Sequence, residues 1–515
     1  MSYRNKTFIL IAIATLIRCV IAASTGLGND EVYYWLYSIH LQSNYFDHPP
    51  AVGWLIRLTT FNNIFHSEFF IRSGAIASSA IVTWLFYKCG KKLANGYAGF
   101  LAALIYTATI YGSIVAGTFI LPDSPQMIFW VSSLYLLINI AECQIINEEQ
   151  LKRVIWFGVV TGLGMLCKIH TIFLWVGFVL YIILYNRNWL KTGALYLSAL
   201  ITILFFMPVI YWNIQNHFVT YVYHSGRVNI AHSGIDIDNF FTFIAGQFFY
   251  CNPVIFVCIV IALWHNKFSI IASQKKILLF TSLPLIIVAT VISLFKTVLP
   301  HWTGPAFASL LLLTAVYFAD KQKDGSLKKK LIPSGIMAAT VLLLVIIGAG
   351  IIGINFFPGT LGNKDNAKRG EGDFTLDMYG WKNFSSSFDS IYYSAHTVKD
   401  TNVQTIILCN KWFPAAHIQH YVAEPLQLRV ITEGDIDDIH QYYWLNKQLG
   451  QVKDSQDIYV IVPSNYPATL QSFMAIKNLQ PDMKIIVPQY RNGKEDREFV
   501  VYYFKPGKYA ILKND

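Results

Sequence analysis

Continuous apolar runs of the length needed to cross hydrocarbon, about 17–25 residues, recur along the first two-thirds of the 515-residue chain. They are unbroken rather than alternating, which is the pattern of membrane helices and not of a barrel. Spans are expected at 7–24, 70–88, 97–117, 125–141, 154–168, 171–185, 193–212, 240–264, 277–295, 304–319 and 332–355, eleven in all. The stretch 154–185 is too long for one helix and carries Lys168 and His170 in its middle, so it reads as a tight hairpin. Between the first two spans, residues 25–69 hold two amphipathic patterns: Val32, Trp35, Leu36 and Ile39, then Ala51, Trp54, Leu55 and Leu58. Their i, i+3, i+4, i+7 spacing predicts helices over 31–41 and 50–60. Their Trp and Tyr content suits helices lying in the headgroup layer. After Phe357 the pattern changes. A polar linker, GNKDNAKRGEGDF, precedes four short strands, VQTIILCN, DIYVIVP, KIIVPQ and EFVVYYF, with helical periodicity near 381–397, 412–422 and 465–479. The fold class is therefore a polytopic α-helical membrane domain, residues 1–356, followed by a small extracytoplasmic α/β domain, 357–515.

Composition agrees. Only 14% of residues are charged, against about 25% in soluble domains. The net charge of +10 is not a nucleic-acid signature, because residues 358–515 carry 17 Lys and Arg against 18 Asp and Glu. The excess lies in short inter-span loops: one set holds 17 basic residues and the opposite set five, Arg57, Arg72, Lys168, Arg227 and Lys296. The richer set is cytoplasmic by the positive-inside rule. The N-terminus is then inside, and the 25–69 loop, Asp123, Lys168, His301 and the C-terminal domain are outside. The seven cysteines show no paired spacing, and no disulfide is expected around Cys409.

That outer face gathers the unusual polar residues. Asp30 and Glu31 open the first interfacial helix, where acids cap and complement the dipole; capping explains one of them, and a surface general base or cation ligand is the functional alternative. Asp47 and His48 precede Pro49 and Pro50, a proline pair suited to a first turn. A cap needs no imidazole, so His48 points to a lipid phosphate. In LPDSPQ, Ser124 and Pro125 already supply a helix start, so Asp123 is left to function; an intramembrane acid costs a few kcal/mol unless used or paired. Lys168, His170, Arg227, Lys296 and His301 supply positive charge on a face otherwise poor in it, with snorkelling as the alternative for each. Nothing resembles HExxH, a P-loop, GxSxG or a dinucleotide fingerprint.

The runs DEVYYWLYSIHL…YFDHPPAVGWLIRL, LPDSPQMIFW, GLGMLCKIHTIFL, MPVIYWNIQNHF and LPHWTGPAF, spread over residues 8–320, resemble bacterial GT-C glycosyltransferases of the aminoarabinose-transferase and protein-mannosyltransferase type. The resemblance implies transfer of one sugar from a polyprenyl-phosphate donor to a lipid, glycan or protein acceptor at the outer face of the cytoplasmic membrane. It matches Asp30 to the acid after the first span, Asp123 to the second acid, and Lys168 to a base facing the donor phosphate. Asp47-His48-Pro49-Pro50 stands where aminoarabinose transferases carry acid-lysine-proline-proline. Direct displacement of a phosphate leaving group would invert the anomeric centre. Asp30 and Asp123 could hold Mg²⁺ or Mn²⁺, or act without metal. The competing reading is a polyprenyl-linked glycan flippase, which would place its polar residues near the bilayer midplane.

Overall fold

The computed structural model describes residues 1–143, 145–231, 233–265, 268–324, 331–395, 404–450, 452–453, 455–477 and 479–506. Lys267, Lys328, Lys329 and Lys330 of the cytoplasmic tally, residue 403 of the first expected strand and residues 396–397 of an expected helix lie outside these. The chain divides into two units: Met1–Ala23 with Tyr37–Ile347, and Ser24–Leu36 with Gly348–Asp515. The boundary expected at 356/357 thus falls nine residues earlier, and a piece of the first external loop joins the C-terminal unit.

The first unit is helical. Six helices are long and apolar enough to cross a membrane among the described residues, or seven if one bent pair counts as a span. They are Tyr3–Ser24, Glu68–Leu93, Asp123–Glu142, Gly193–Gln215, Ala272–Ser293 and Pro300–Lys323, with shorter apolar helices such as Gly96–Ala108 between them. The last of the six is the most enclosed; its residues Ala306–Ala319 are all buried, so it forms the centre around which the others pack. The expected hairpin at 154–185 is present: Glu148–Met165 and Phe173–Tyr185 meet at a 3₁₀ turn, Ile169–Ile172. The single span expected at 240–264 is instead two helices, Ile237–Tyr250 and Pro253–His265, bent by 98°. Asn252 explains the bend. It takes φ +67°, its amide donates to Ala108 O at 3.0 Å, and its Oδ1 accepts from Val254 N at 3.0 Å, restarting a helix on Pro253. The span expected at 97–117 is α-helical only to Ala108, then passes through a π-helical turn, Tyr111–Val115.

In the second unit five strands, β1 Thr405–Cys409, β2 Arg429–Thr432, β3 Asp457–Pro463, β4 Met483–Arg491 and β5 Lys494–Phe504, form a mixed sheet in the order β2-β1-β3-β5-β4. β1 pairs in parallel with β2 and β3; β5 runs antiparallel to β3 and β4. Asn492 and Gly493, both left-handed, close the β4–β5 hairpin with the two-residue turn such a pair favours. Helix Trp381–Ala395 packs Trp381, Phe384 and Phe388 inward. Among the described residues the helix expected at 465–479, of which residue 478 lies outside them, does not form; two 3₁₀ turns, Leu470–Ser472 and Met474–Ile476, occur there, anchored by Phe473 and Ile476. The polar segment 362–374 is not a free tether. Asp373 is buried in an ion pair with Arg491 at 3.0 Å and also accepts from Thr360 Oγ1 and Leu361 N; Arg491 Nε donates to Gly359 O at 2.8 Å.

Candidate active site

In the first unit the polar residues converge on Asp123. Helix Asp123–Glu142 begins at this residue, yet its carboxylate does not cap the helix. No side chain caps this helix; the Ser124 hydroxyl accepts from Leu121 N and donates to Phe119 O, tightening the turn that leads into it. Asp123 is free for tertiary use: Oδ1 accepts from Tyr111 Oη at 2.9 Å and Oδ2 from Lys168 Nζ at 2.7 Å. Both charges of this pair are buried. Such a pair persists only when its geometry is well supported, and the support is local. Thr171 donates to Gly164 O and Lys168 O and accepts from Gln126 Nε2 at 3.1 Å. The Lys168 turn is thereby locked to the first turn of the Asp123 helix.

Tyr111 is held by close packing. A Cβ on Gly304 would sit 2.2–2.4 Å from three atoms of the Tyr111 ring, so only glycine lets the central helix approach. The preceding turn carries His301 and is fixed by Gln247, which donates to Pro300 O and accepts from Thr303 Oγ1. His301, His170 and His48 all lie within electrostatic reach of Lys168 and Asp123. His170 sits beside Trp302, ring centroids 6.0 Å apart.

The segment before the double proline is clamped from two sides. Tyr37 Oη donates to Asp47 Oδ1 and stacks on Tyr45 at 3.6 Å. From the other side helix Val219–Val228 brings Thr220 Oγ1 to Tyr45 O at 3.1 Å and His224 Nε2 to Asp47 O at 2.6 Å. Because that oxygen can only accept, His224 carries its proton on Nε2. Ala51 N donates to Leu166 O at 3.1 Å, tying helix Ala51–Thr59 to the Lys168 hairpin. Burial lowers the pKa of His48, opposed by Asp47 and reinforced by Lys168 and His224; burial likewise lowers that of His224. Both imidazoles are neutral at pH 7.

Of the residues singled out in the sequence, Asp47, His48, Asp123, Lys168, His170 and His301 thus come together. Arg227 is exposed and stacked on Tyr223, 4.7 Å from the ring centroid; Lys296 is half-buried and makes no ion pair among the described residues. Asp30 and Glu31 belong to the second unit. There Asp30 is exposed in the first turn of helix Asn29–Ile39, and Glu31 Oε2 accepts from Gly28 N at 2.9 Å, the reciprocal contact of a capping box. Tyr111 and His224 went unnoticed in the sequence. A tyrosine inside an apolar run and a lone loop histidine carry no local signal of partnership.

Asp123 does not suit a divalent cation. One oxygen already faces an ammonium and the other a phenol, and no group of three His, Cys, Asp or Glu able to hold a metal occurs among the described residues.

The chain is similar to known proteins in sequence and fold. A family described as dolichyl-phosphate-mannose-protein mannosyltransferase matches residues 47–212, the stretch from Asp47 through the Lys168 hairpin. Lipid A galacturonosyltransferase RgtD of Rhizobium johnstonii is 22% identical over 291 residues, 56% of this chain and 60% of that relative. The structure of ArnT from Cupriavidus metallidurans in the apo state superimposes with a TM-score of 0.64 at 13% identity, covering 97% of this chain and 98% of that one. The chain has the GT-C fold. The undecaprenyl-phosphate-bound form of ArnT agrees, with a TM-score of 0.65 at 14% identity over 96% and 97% of the two chains. With six helices, or seven if the bent pair is one span, long and apolar enough to cross a membrane among the described residues, it is a multi-pass membrane protein, and the resemblance read from its motifs holds at the level of fold.

Proposed function

We propose that this GT-C protein transfers a single sugar from a polyprenyl-phosphate donor to an acceptor at the outer face of the cytoplasmic membrane, with inversion at the anomeric carbon. The carrying observation is the buried Asp123–Lys168 pair with Tyr111 on the opposite carboxylate oxygen. Lys168 has three N–H donors and gives one to Asp123, so two remain for a phosphate. Asp123 orients the ammonium in a dry setting, where a cation aimed at developing phosphate charge is most effective. His48 and His301 extend the same anion-binding face. Asp30 is the carboxylate we assign to the acceptor: it takes the proton of a hydroxyl, or orients a phosphate acceptor that needs no base. Glu31 serves the helix start that presents Asp30. Among acceptors, a lipid A-like lipid is favoured, since RgtD is a lipid A galacturonosyltransferase and ArnT has been captured with undecaprenyl phosphate. The bacterial inner membrane, with the N-terminus cytoplasmic and the C-terminal unit outside, follows from the loop charges.

The test is mass spectrometry of lipid A, surface glycans and envelope proteins from cells making the wild type, Asp30→Asn or Asp123→Asn at equal protein levels. Loss of one sugar mass in both variants is expected. Unchanged glycans in both would end the enzyme reading, and a defect in transport of the lipid-linked sugar with sugar transfer itself intact would favour a flippase.

A further inference from the structure

The first unit holds a second cationic feature with no part in the site above. Arg18 lies on helix Tyr3–Ser24, six residues before its end, and is 3% exposed. Its only hydrogen bonds among the described residues are two long ones: Nε to Ser113 O at 3.4 Å and Nη2 to Ser113 Oγ at 3.5 Å. No carboxylate lies in salt-bridge range of it among the described residues. Tyr106 lies within electrostatic reach of Arg18, and the Ser113 and Thr118 groups beside it already have partners. Thr118 Oγ1 donates to Ser113 O at 2.7 Å, and Ser113 Oγ donates to Thr107 O. A guanidinium has five N–H donors, so Arg18 keeps unused donor capacity.

That capacity opens into a cavity of about 470 Å³ whose walls are otherwise almost wholly apolar. Ile9, Ile13, Ile17 and Ile21 line it as an i, i+4 stripe of the first helix, with Phe100 opposite. From Lys6 to Ile21 the stripe runs about 22 Å at 1.5 Å per residue, the length of an extended lipid chain within one leaflet and beyond. Ile9 and Ile13 are about half exposed, at 47% and 54%. A buried cation in an apolar wall is costly and is normally paired or functional. Charge complementarity therefore selects an occupant with one anionic oxygen cluster and a long apolar tail.

We propose that this groove is a binding site for an anionic glycerophospholipid, its phosphate on Arg18 and one acyl chain along the Ile9–Ile21 stripe. The site is separate from the donor phosphate position at Lys168. A bound lipid supplies the counter-charge that the protein lacks there and fills the space between the first helix and its neighbours.

The full-length protein, purified in mild detergent after incubation with phosphatidylglycerol or phosphatidylcholine vesicles, tests this by native mass spectrometry. The wild type should keep about one phosphatidylglycerol per chain and release phosphatidylcholine. Arg18→Gln should lower retention about tenfold, and Arg18→Lys should keep most of it, since a charge-assisted contact is preserved. Ile13→Trp, which fills the groove without touching Arg18, should also lose the lipid and guards against a folding defect in the arginine variant. Wild-type retention of phosphatidylglycerol in Arg18→Gln or in Ile13→Trp overturns the proposal, as does equal retention of the two phospholipids by the wild type. Recovery of polyprenyl phosphate in place of phosphatidylglycerol would assign the groove to the donor and overturn the separate site.

Discussion

At the scale of single residues, the Asp123–Lys168 pair carries both a stability and a functional consequence. Removing one partner leaves the other charge buried, which costs about 3–5 kcal/mol in comparable pairs, whereas removing both with apolar residues costs far less. Lys168→Met should therefore lower Tm markedly, Asp123→Leu/Lys168→Met should recover most of the loss, and neither should transfer sugar. Thermal unfolding in detergent beside a transfer assay separates the two effects; an active double variant would remove the pair from catalysis. His48 yields a prediction about pH. Its pKa is lowered by burial, with Asp47, Lys168, His224 and Asp123 facing it, so it is neutral at pH 7. A bound phosphate favours the imidazolium, and lowering pH from 8 to 6 should then lower the donor KM. His48→Gln should flatten that slope, as measured by KM across the range. A lysine, as the aminoarabinose transferases carry here, would hold its charge throughout.

At the scale of elements, the informative piece is the start of helix Asn29–Ile39. It is packed within the C-terminal unit: Leu27 N donates to Tyr421 Oη at 3.0 Å, Gln441 N to Tyr33 Oη at 3.2 Å, and Trp35 meets His420 edge-on at 4.3 Å. Asn29 Oδ1 bonds His417 Nε2 at 2.9 Å, and burial holds the His417 imidazole well below its ordinary pKa; neutral and stacked on Trp381 at 4.3 Å, it acts as an N–H donor. Gly26 completes the fit, because a Cβ there would lie 2.5 Å from Met378 O. His417→Phe keeps the stack and loses the bond. It should lower kcat about tenfold, since small misplacements of a reacting group are costly, leave donor KM unchanged, and speed hydrogen exchange over residues 25–36. His417→Gln should restore both. Unchanged exchange and kcat would deny the C-terminal unit a positioning role.

The same scale shows what was legible in sequence. The interfacial helices expected at 31–41 and 50–60 occur as Asn29–Ile39 and Ala51–Thr59, because their apolar spacing is strong and local. The hairpin break at Lys168 was visible because two charged or polar residues interrupt an apolar run. The bend at Asn252 was not, since it depends on an amide reaching Ala108, 144 positions away. Strand β2 is only four residues and is specified by its pairing with β1 rather than by its own pattern. Tyr111 and His224 were missed for the same reason: their meaning lies in partners brought to them by packing.

At the scale of the whole molecule, the C-terminal unit carries a buried charge cluster that makes its stability pH-dependent. Burial pushes the pKa of Asp496 up to about 6 from 3.8, with the Arg497 and Arg491 charges and the Arg497 backbone N–H opposing. A raised carboxyl pKa contributes stability that is complete below the unfolded value and is lost as pH rises through the folded one. The unit should thus lose stability between about pH 4 and about pH 6.5, and Asp496→Asn should abolish that part of the slope. Unfolding midpoints of the full chain across the range, followed by near-ultraviolet circular dichroism, check it; parallel slopes in the two proteins would refute it.

Asn29 and His417 are 388 positions apart in the chain. Ribosomes add about 5–20 residues per second, so the segment bearing Asp30 waits roughly 20–80 s after its own synthesis for the histidine that fastens it. A nascent or truncated chain can lodge all its helices in the bilayer and still have no seated acid. The last segments to be translated therefore fasten the first.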